Sequence, residues 1–190
     1  TSKYINLNDL IIESLIKKGK FSDIYQGKFH NEPVAIKILS NKNDIIHSNI
    51  LFQHEKDIYS LPFMDHENIL KYYGYCVIDD NNCLIFELSK YGSLRDVLRS
   101  RLLKDENELI LICKQISNGL EYLHSDYRRN NSKEKSRPPI AHRDLKSDNI
   151  LYLNDNRLVI SDFALAIKLD QNQNCPNEQQ QVIYKNNKYI

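Results

Sequence analysis

The 190-residue sequence predicts an α+β fold arranged in two lobes. Segments rich in β-branched and aromatic residues come first, and the clearest helical pattern follows them. A hydrophobic content of 41% is enough for a packed core. We assign residues 1–89 to the first lobe and its hinge, and residues 90–190 to the second lobe.

The first lobe is expected to consist mainly of strands with one long helix. The segments "LIIESLIKKGKFSDIYQGKF" and "PVAIKIL" have the composition of strands and are separated by turn residues. The segment "NDIIHSNILFQHEKDIYSL" predicts a helix that either Asn43 or Asp44 caps. Two further strands, "ILKYYGYCVI" and "NCLIFEL", are expected around a polar "DDNN" turn.

The second lobe is expected to begin with a short helix that Gly92 and Ser93 open. The segment "NELILICKQISNGLEYLHS" predicts a long helix with one apolar face, which consists of Leu109, Ile112, Ile116, Leu120 and Leu123. Residues 127–139 predict a loop whose charges are solvated, and "NILYL" and "RLVIS" predict short strands. The polar segment from residue 171 onwards is expected to be mobile.

Composition argues against several classes of function. The net charge of +1 disfavours a nucleic-acid-binding or anionic-membrane surface. The four cysteines form no C-x-x-C pair, which favours reduced thiols over a metal site or a disulfide framework. No apolar run has the length of a membrane span, so we expect a soluble chain. Because the sequence does not start with Met, we also expect it to be a piece of a longer protein.

The segment "IAHRDLKSDNIL" at residues 140–151 carries the most specific chemical signal. Its H-R-D-x-x-x-x-N pattern supplies Asp144, which is suited to accept a hydroxyl proton, and Asn149, which is suited to bind magnesium. An exposed polar turn would explain H-R-D alone, but three further residues suited to phosphoryl transfer occur in the same chain.

The first of these residues is Lys37 in "PVAIKIL", on a strand where its ammonium group can pair with nucleotide phosphates. The second is a carboxylate on the following helix that holds this lysine, for which both Glu55 and Asp57 are candidates. The third is Asp162 in "SDFALA", a second metal ligand.

On these motifs, the whole chain resembles the first two-thirds of a protein kinase domain, in particular that of the TGF-β/activin receptor serine/threonine kinases. The segments "YSLPFMDHENIL", "FELSKYGSLRDVL" and "RPPIAHRDLKS" carry the narrower resemblance, and the D-F pair favours the type II receptors. The resemblance implies a kinase fold with an antiparallel N-lobe sheet, an αC helix and a truncated, mainly helical C-lobe.

The resemblance also implies roles for individual residues. It selects Glu55 over Asp57 as the partner of Lys37, and it makes Lys146 the lysine that stabilises charge on the transferred phosphate. Phe86 takes the gatekeeper position, and the Glu87 carbonyl and Ser89 amide are expected to meet the adenine edge. The other expected nucleotide contacts are Gly19 and Ser22 at the phosphates and Ile16, Ile24, Ala35 and Leu151 around the adenine ring.

Several positions depart from the family pattern. The glycine-rich loop reads Lys17-x-Gly19-x-x-Ser22, and Ala164 replaces the glycine of D-F-G. Ile183 and Tyr184 stand where the family has Gly-Thr, and no serine or threonine follows Ser161. An alanine at residue 164 is tolerable unless the backbone there has positive φ. The sequence ends before A-P-E, so we expect the 190 residues alone to be inactive.

We therefore expect an ATP-dependent protein serine/threonine kinase that uses Mg²⁺ or Mn²⁺. By resemblance, it acts on a protein substrate, pairs with a type I receptor, and lies on the cytoplasmic side of the plasma membrane as part of a single-pass receptor. The span itself is absent from this chain, and no nucleic-acid partner is expected. The alternatives are a pseudokinase-like binding or decoy module and a nucleotide binder outside the kinase family.

Overall fold

A five-stranded antiparallel sheet forms the first part of the structure, a computed structural model that describes residues 3–39, 45–100, 105–128, 136–153 and 157–169. Its strands are β1 (Leu10–Lys18), β2 (Ser22–Phe29), β3 (Glu32–Leu39), β4 (Tyr72–Ile78) and β5 (Asn81–Glu87). They lie in the order β1-β2-β3-β5-β4. The predicted α+β class with an antiparallel sheet in the first lobe is confirmed.

The turn between β4 and β5 is shorter than the predicted "DDNN" turn. Asp79 and Asp80 both have positive φ, as the two central residues of a type I′ turn require. Asn81 and Asn82 instead belong to β5, where they pair with the end of β4. The tight hairpin places Cys83 directly opposite Cys76.

The helix α1 (Ile45–Tyr59) packs against β3 and β5. Phe52, Ile58 and Tyr59 on this helix are buried in the larger hydrophobic core, which also includes Leu84 and Phe86 from β5. The predicted caps Asn43 and Asp44 lie outside the described residues.

The second part of the chain begins with α2 (Leu94–Arg99), as predicted. Ser93 caps this helix: its side chain accepts from the Asp96 backbone, and the Asp96 side chain accepts from the Ser93 backbone. This reciprocal capping box satisfies two backbone donors that a helix start leaves without partners.

The helix α3 (Glu106–His124) packs against the later strand β10 (Leu158–Ile160). Gly119 permits the close approach, because a Cβ atom there would lie 2.9 Å from Ile160 Cδ1. Ile112 and Leu123 are buried as predicted. Leu109 is 46% exposed, so its placement on the buried face was wrong. It lies in the first turn of the helix, which begins at Glu106.

Short strands complete the described structure. The pairs are β6 (Tyr127–Arg128) with β7 (Ser136–Arg137), β8 (Ile140–Ala141) with β11 (Ile167–Lys168), and β9 (Ile150–Tyr152) with β10. The expectation of solvated charge in residues 127–139 is wrong for Arg137, which is fully buried. Its guanidinium group donates to the carbonyls of Tyr122 and Leu123 at the end of α3.

Some predictions concern residues that the structure does not describe. The segment from residue 171 onwards, including Cys175, Ile183 and Tyr184, lies outside the described ranges. Within those ranges, no helix is both long enough and apolar enough to cross a membrane.

Candidate active site

A cavity of about 700 Å³ lies between the five-stranded sheet and the second part of the chain. Every residue predicted for the site lines it. Those from the sheet, from α1 and from the residues just after β5 are Ile16, Gly19, Ser22, Ile24, Ala35, Lys37, Glu55, Glu87 and Ser89. Those from the second part of the chain are Asp144, Lys146, Asn149, Leu151 and Asp162.

Lys37 binds two carboxylates at the back of this cavity. Its Nζ atom lies 2.6 Å from Glu55 Oε2 on α1 and 3.3 Å from Asp162 Oδ1 after β10. Asp57, the other candidate partner, instead accepts a hydrogen bond from Gln53 on the exposed side of α1. One ammonium group therefore connects β3, α1 and the segment that follows β10.

Burial and charge act in opposite directions on this cluster. Burial by itself lowers the pKa of Lys37, but the carboxylates of Asp162 and Glu55 outweigh it and raise that pKa above its ordinary value. Burial raises the pKa of Glu55 to about 6, although Lys37 opposes the rise. The Lys37 charge holds the pKa of Asp162 below its ordinary value. Lys37 and Asp162 are thus ionised at neutral pH.

Asp144 is held by two side chains from its own loop. Its Oδ2 atom accepts from Lys146 Nζ at 2.6 Å and from Asn149 Nδ2 at 2.9 Å. The same Asn149 amide also donates to the Asp144 carbonyl. Asp144 is therefore fixed in orientation, with a cation beside it, where a hydroxyl group entering the cavity would meet it.

His142 connects this loop to the segment containing Asp162. Burial lowers the pKa of His142, so the ring is neutral at pH 7. Its Nε2 atom lies 2.9 Å from the Ser161 carbonyl, and its Nδ1 atom accepts from the Asp144 backbone at 3.2 Å. These contacts require the proton on Nε2, and they set the spacing between the two acidic residues of the site.

The backbone at Asp162 is strained, whereas the backbone at Ala164 is not. Asp162 has a φ of +65°, a value that non-glycine residues rarely adopt. Ala164 does not have a positive φ. Phe163 between them is fully buried and packs edge-on against Tyr59. The alanine in "SDFALA" therefore imposes no left-handed backbone penalty.

The turn between β1 and β2 forms one wall of the cavity. A Cβ atom on Gly19 would lie 2.4 Å from the Ser22 carbonyl oxygen, so this turn requires glycine there. Phe21 at the turn packs edge-on against His47 of α1. Gly19, the one glycine that this loop keeps, is thus at a position where the turn leaves no room for a Cβ atom.

The site also contains residues that the sequence reasoning missed. Ser93, Asp96 and Asp148 line the cavity, and Arg95 Nη2 lies 2.6 Å from Asp148 Oδ2. The S-x-x-D capping pattern could have indicated Ser93 and Asp96. Nothing local in the sequence marks Asp148, because its partner lies on another element.

Asn149 and Asp162 fit a divalent cation by the chemistry of their donors. Asn149 uses its amide nitrogen toward Asp144, which leaves the amide oxygen as its ligand atom. Asp162 is an ionised carboxylate that lines the same cavity and is 40% exposed. Hard cations such as Mg²⁺ prefer oxygen ligands of these two kinds.

Comparison with known proteins gives matches over nearly the whole chain. Residues 11–189 match the family model described as protein kinase domain. The chain is 34% identical over 185 residues to activin receptor type-2A of Xenopus laevis and of Homo sapiens, which is 95% of this chain and 34% of each receptor. It is 33% identical over 173 residues to activin receptor type-2B of Xenopus laevis, 89% of this chain and 32% of the receptor. The resemblance inferred from the motifs is confirmed, and the chain spans about a third of the length of these relatives.

Proposed function

The chain belongs to the protein kinase domain family, and we propose that it is part of a receptor-type protein serine/threonine kinase. The proposed reaction transfers the γ-phosphoryl group of ATP to a serine or threonine hydroxyl of a protein substrate. The observation that carries the proposal is the convergence of all the predicted site residues, from both parts of the chain, on one cavity.

In this proposal, Asp144 orients the substrate hydroxyl and accepts its proton as the bond to phosphorus forms. Lys146, 2.6 Å from Asp144, stabilises negative charge on the transferred group. Little covalent chemistry is asked of the protein, because catalysis of phosphoryl transfer consists mostly of positioning and charge stabilisation. The fixed orientation of Asp144 supports this role.

Lys37 is proposed to pair with the α- and β-phosphates, with Glu55 holding it in place, and the turn at Gly19 and Ser22 to cover them. Asn149 and Asp162 are proposed to hold Mg²⁺ or Mn²⁺, which neutralises phosphate charge when bound. The adenine ring is proposed to lie among apolar side chains, with its edge at the backbone of Glu87 and Ser89. The apolar contacts are Ile16, Ile24, Ala35 and Leu151.

For the parent protein, we propose a single-pass plasma-membrane receptor with this domain on the cytoplasmic side. A type I receptor is the proposed partner and substrate, and the boundary between lobes is proposed at residues 89–90. The similarity to activin type-2 receptors supports these points. The pseudokinase-like alternative is not favoured, because none of the site residues in the described part of the chain is displaced from the cavity.

The test measures Mg²⁺-dependent transfer of labelled γ-phosphate from ATP by the full-length protein. Lys37→Ala and Asp144→Asn are each expected to lower the transfer rate by roughly a hundredfold or more. Lys28→Ala is the matched control, because Lys28 forms an exposed ion pair with Glu13 in the same sheet, away from the cavity. Unchanged transfer in the Lys37 or Asp144 variant would falsify the assignment.

A further inference from the structure

Residues 87–92, from the last residue of β5 onwards, are hydrogen bonded to the backbone of Tyr152 in the β9–β10 hairpin. We name residues 87–92 the hinge segment. Ser89 Oγ donates to the Tyr152 carbonyl at 2.7 Å, and Tyr91 N donates to the same carbonyl at 3.2 Å. Tyr152 N in turn donates to the Gly92 carbonyl at 2.9 Å. The later half of the hinge segment is thus docked on β9.

The first residue of the hinge segment has a different kind of contact with the same hairpin. Arg157, immediately before β10, donates from Nη2 to Glu87 Oε1, so an ion pair joins the end of β5 to the hairpin. The side chains of Arg157 and Glu87 are 35% and 23% exposed. Glu87 Oε2 is buried and has no hydrogen-bond partner in the described part of the chain. Arg157 is therefore the cation that compensates the charge of this partly buried carboxylate.

Both members of the ion pair lie on backbone that is hydrogen bonded to a neighbouring segment. Glu87 N donates to the Lys71 carbonyl at 3.0 Å, and Glu87 is in register with Val34 of β3. The Arg157 carbonyl accepts from Leu153 N at 2.7 Å, which closes the β9–β10 hairpin. An ion pair between two hydrogen-bonded elements can fix the distance between them, whereas an ion pair on a free loop would move with the loop.

The cavity is bounded by both of these elements. Glu87 lines it from the end of β5, and Leu151 lines it from β9. In the proposed function, the Glu87 carbonyl meets the edge of the adenine ring while Leu151 contacts its face. The separation between these two residues therefore determines how well an adenine ring fits.

We propose that Arg157 is a positioning residue for the adenine nucleotide: through the Glu87 side chain, it holds the hinge segment at the separation from Leu151 that the adenine ring requires. This inference rests on the proposed function, because it takes ATP to be the ligand of the cavity. It assigns no chemical step to Arg157. Its effect falls on nucleotide affinity and not on the transfer of the phosphoryl group.

The test uses the full-length protein and measures kcat and the KM values for ATP and for the protein substrate. Arg157→Met is expected to raise the KM for ATP by roughly tenfold, with kcat and the KM for the protein substrate changed by less than about twofold. Arg157→Lys keeps the cation and is expected to lie between the wild type and Arg157→Met. Lys28→Met is the matched control, since it removes the exposed ion pair with Glu13 in the same sheet.

Glu87→Gln provides a second variant that keeps the size of the side chain and removes its charge. It is expected to raise the KM for ATP as Arg157→Met does, and it decides the test if Arg157→Met does not fold. An unchanged KM for ATP in Glu87→Gln overturns the inference, as does a lowered melting temperature of Arg157→Met with wild-type KM. Absence of ATP turnover in the wild type would overturn the proposed function itself, and this inference with it.

Discussion

Glu55 Oε2 lies 2.6 Å from Lys37 Nζ; Glu55 is buried, and the Lys37 side chain is 21% exposed toward the cavity. The contact holds α1 against β3 at one defined position along the helix. Because Asp162 also binds Lys37, the position of α1 is coupled to that of the proposed metal ligand. Without these carboxylates, the Lys37 ammonium group would lose both hydrogen bonds that orient it.

Glu55→Gln is expected to lower kcat/KM for ATP by roughly a hundredfold, which corresponds to about 3 kcal/mol of transition-state stabilisation. The amide keeps the shape of the side chain but removes the charge that orients Lys37. Steady-state phosphate transfer by the full-length protein measures the effect. Asp57→Asn, on the same helix but exposed, is the control and should match the wild type; equal losses in both variants would contradict the role of Glu55.

The pKa of Glu55 predicts how folding stability depends on pH. Its value is raised from 4.5 to about 6 in the folded chain, so the folded state binds this proton more tightly than the unfolded state. The resulting stabilisation is fully present below pH 4.5 and is lost as the pH rises through about 6. It amounts to about 2 kcal/mol, because one pKa unit corresponds to about 1.4 kcal/mol.

Urea unfolding at pH values from 4.5 to 7 tests this prediction. The free energy of unfolding of Glu55→Gln minus that of the wild type should increase by about 2 kcal/mol as the pH rises across this range, because only the wild type loses the stabilisation. Asp57→Asn serves again as the control, with no such trend. A flat difference between Glu55→Gln and the wild type would show that Glu55 titrates at its ordinary pKa.

The site was predictable from sequence where its chemistry is local. The spacing in H-R-D-x-x-x-x-N places Asp144 and Asn149 on one loop, and the structure shows them hydrogen bonded. Choosing Glu55 over Asp57 required the family resemblance. Both residues are carboxylates on the same helix, and they differ only in the helix face on which they lie. The buried state of Arg137 was not predictable from a polar, basic segment, since its acceptors belong to a helix that ends before that segment.

Gly19→Ala is expected to destabilise the turn between β1 and β2 by about 1–3 kcal/mol, the usual range for forcing extra atoms into a packed position. The added Cβ would lie 2.4 Å from the Ser22 carbonyl oxygen, and the backbone must move to relieve this contact. Nucleotide affinity should fall as well, because this turn covers the cavity. Isothermal titration with ATP and Mg²⁺ measures the second effect.

Ser22→Gly is the comparison for this turn. It restores a glycine of the family pattern at a position that has no positive φ in the structure. The substitution is therefore expected to lower stability by about 0.5–1 kcal/mol, through the added freedom of the unfolded chain. Should Gly19→Ala bind ATP as tightly as the wild type, the close contact at Gly19 does not govern nucleotide binding.

Ala164→Gly tests whether the altered D-F-G motif limits the site. Because Ala164 does not have positive φ, glycine gains nothing from its left-handed freedom and is expected to lower stability by about 0.5–1 kcal/mol. Mg²⁺-dependent phosphate transfer should continue in the variant, since Asp162 supplies the proposed metal ligand. A large increase in turnover would instead identify Ala164 as the residue that limits activity.

Arg137→Met is expected to lower the free energy of unfolding by about 1–3 kcal/mol, the penalty for leaving buried acceptors without their donor. Arg137 Nη2 lies 2.6 Å from the Tyr122 carbonyl and Nη1 lies 3.1 Å from the Leu123 carbonyl, so the side chain closes the C-terminal end of α3. The guanidinium group also stacks over the Tyr122 ring at 4.9 Å. Arg99→Met, which alters an exposed arginine at the end of α2, is the control and should change stability by less than about 0.5 kcal/mol. If both variants unfold at the same urea concentration, Arg137 acts as an ordinary surface charge, and α3 ends without its help.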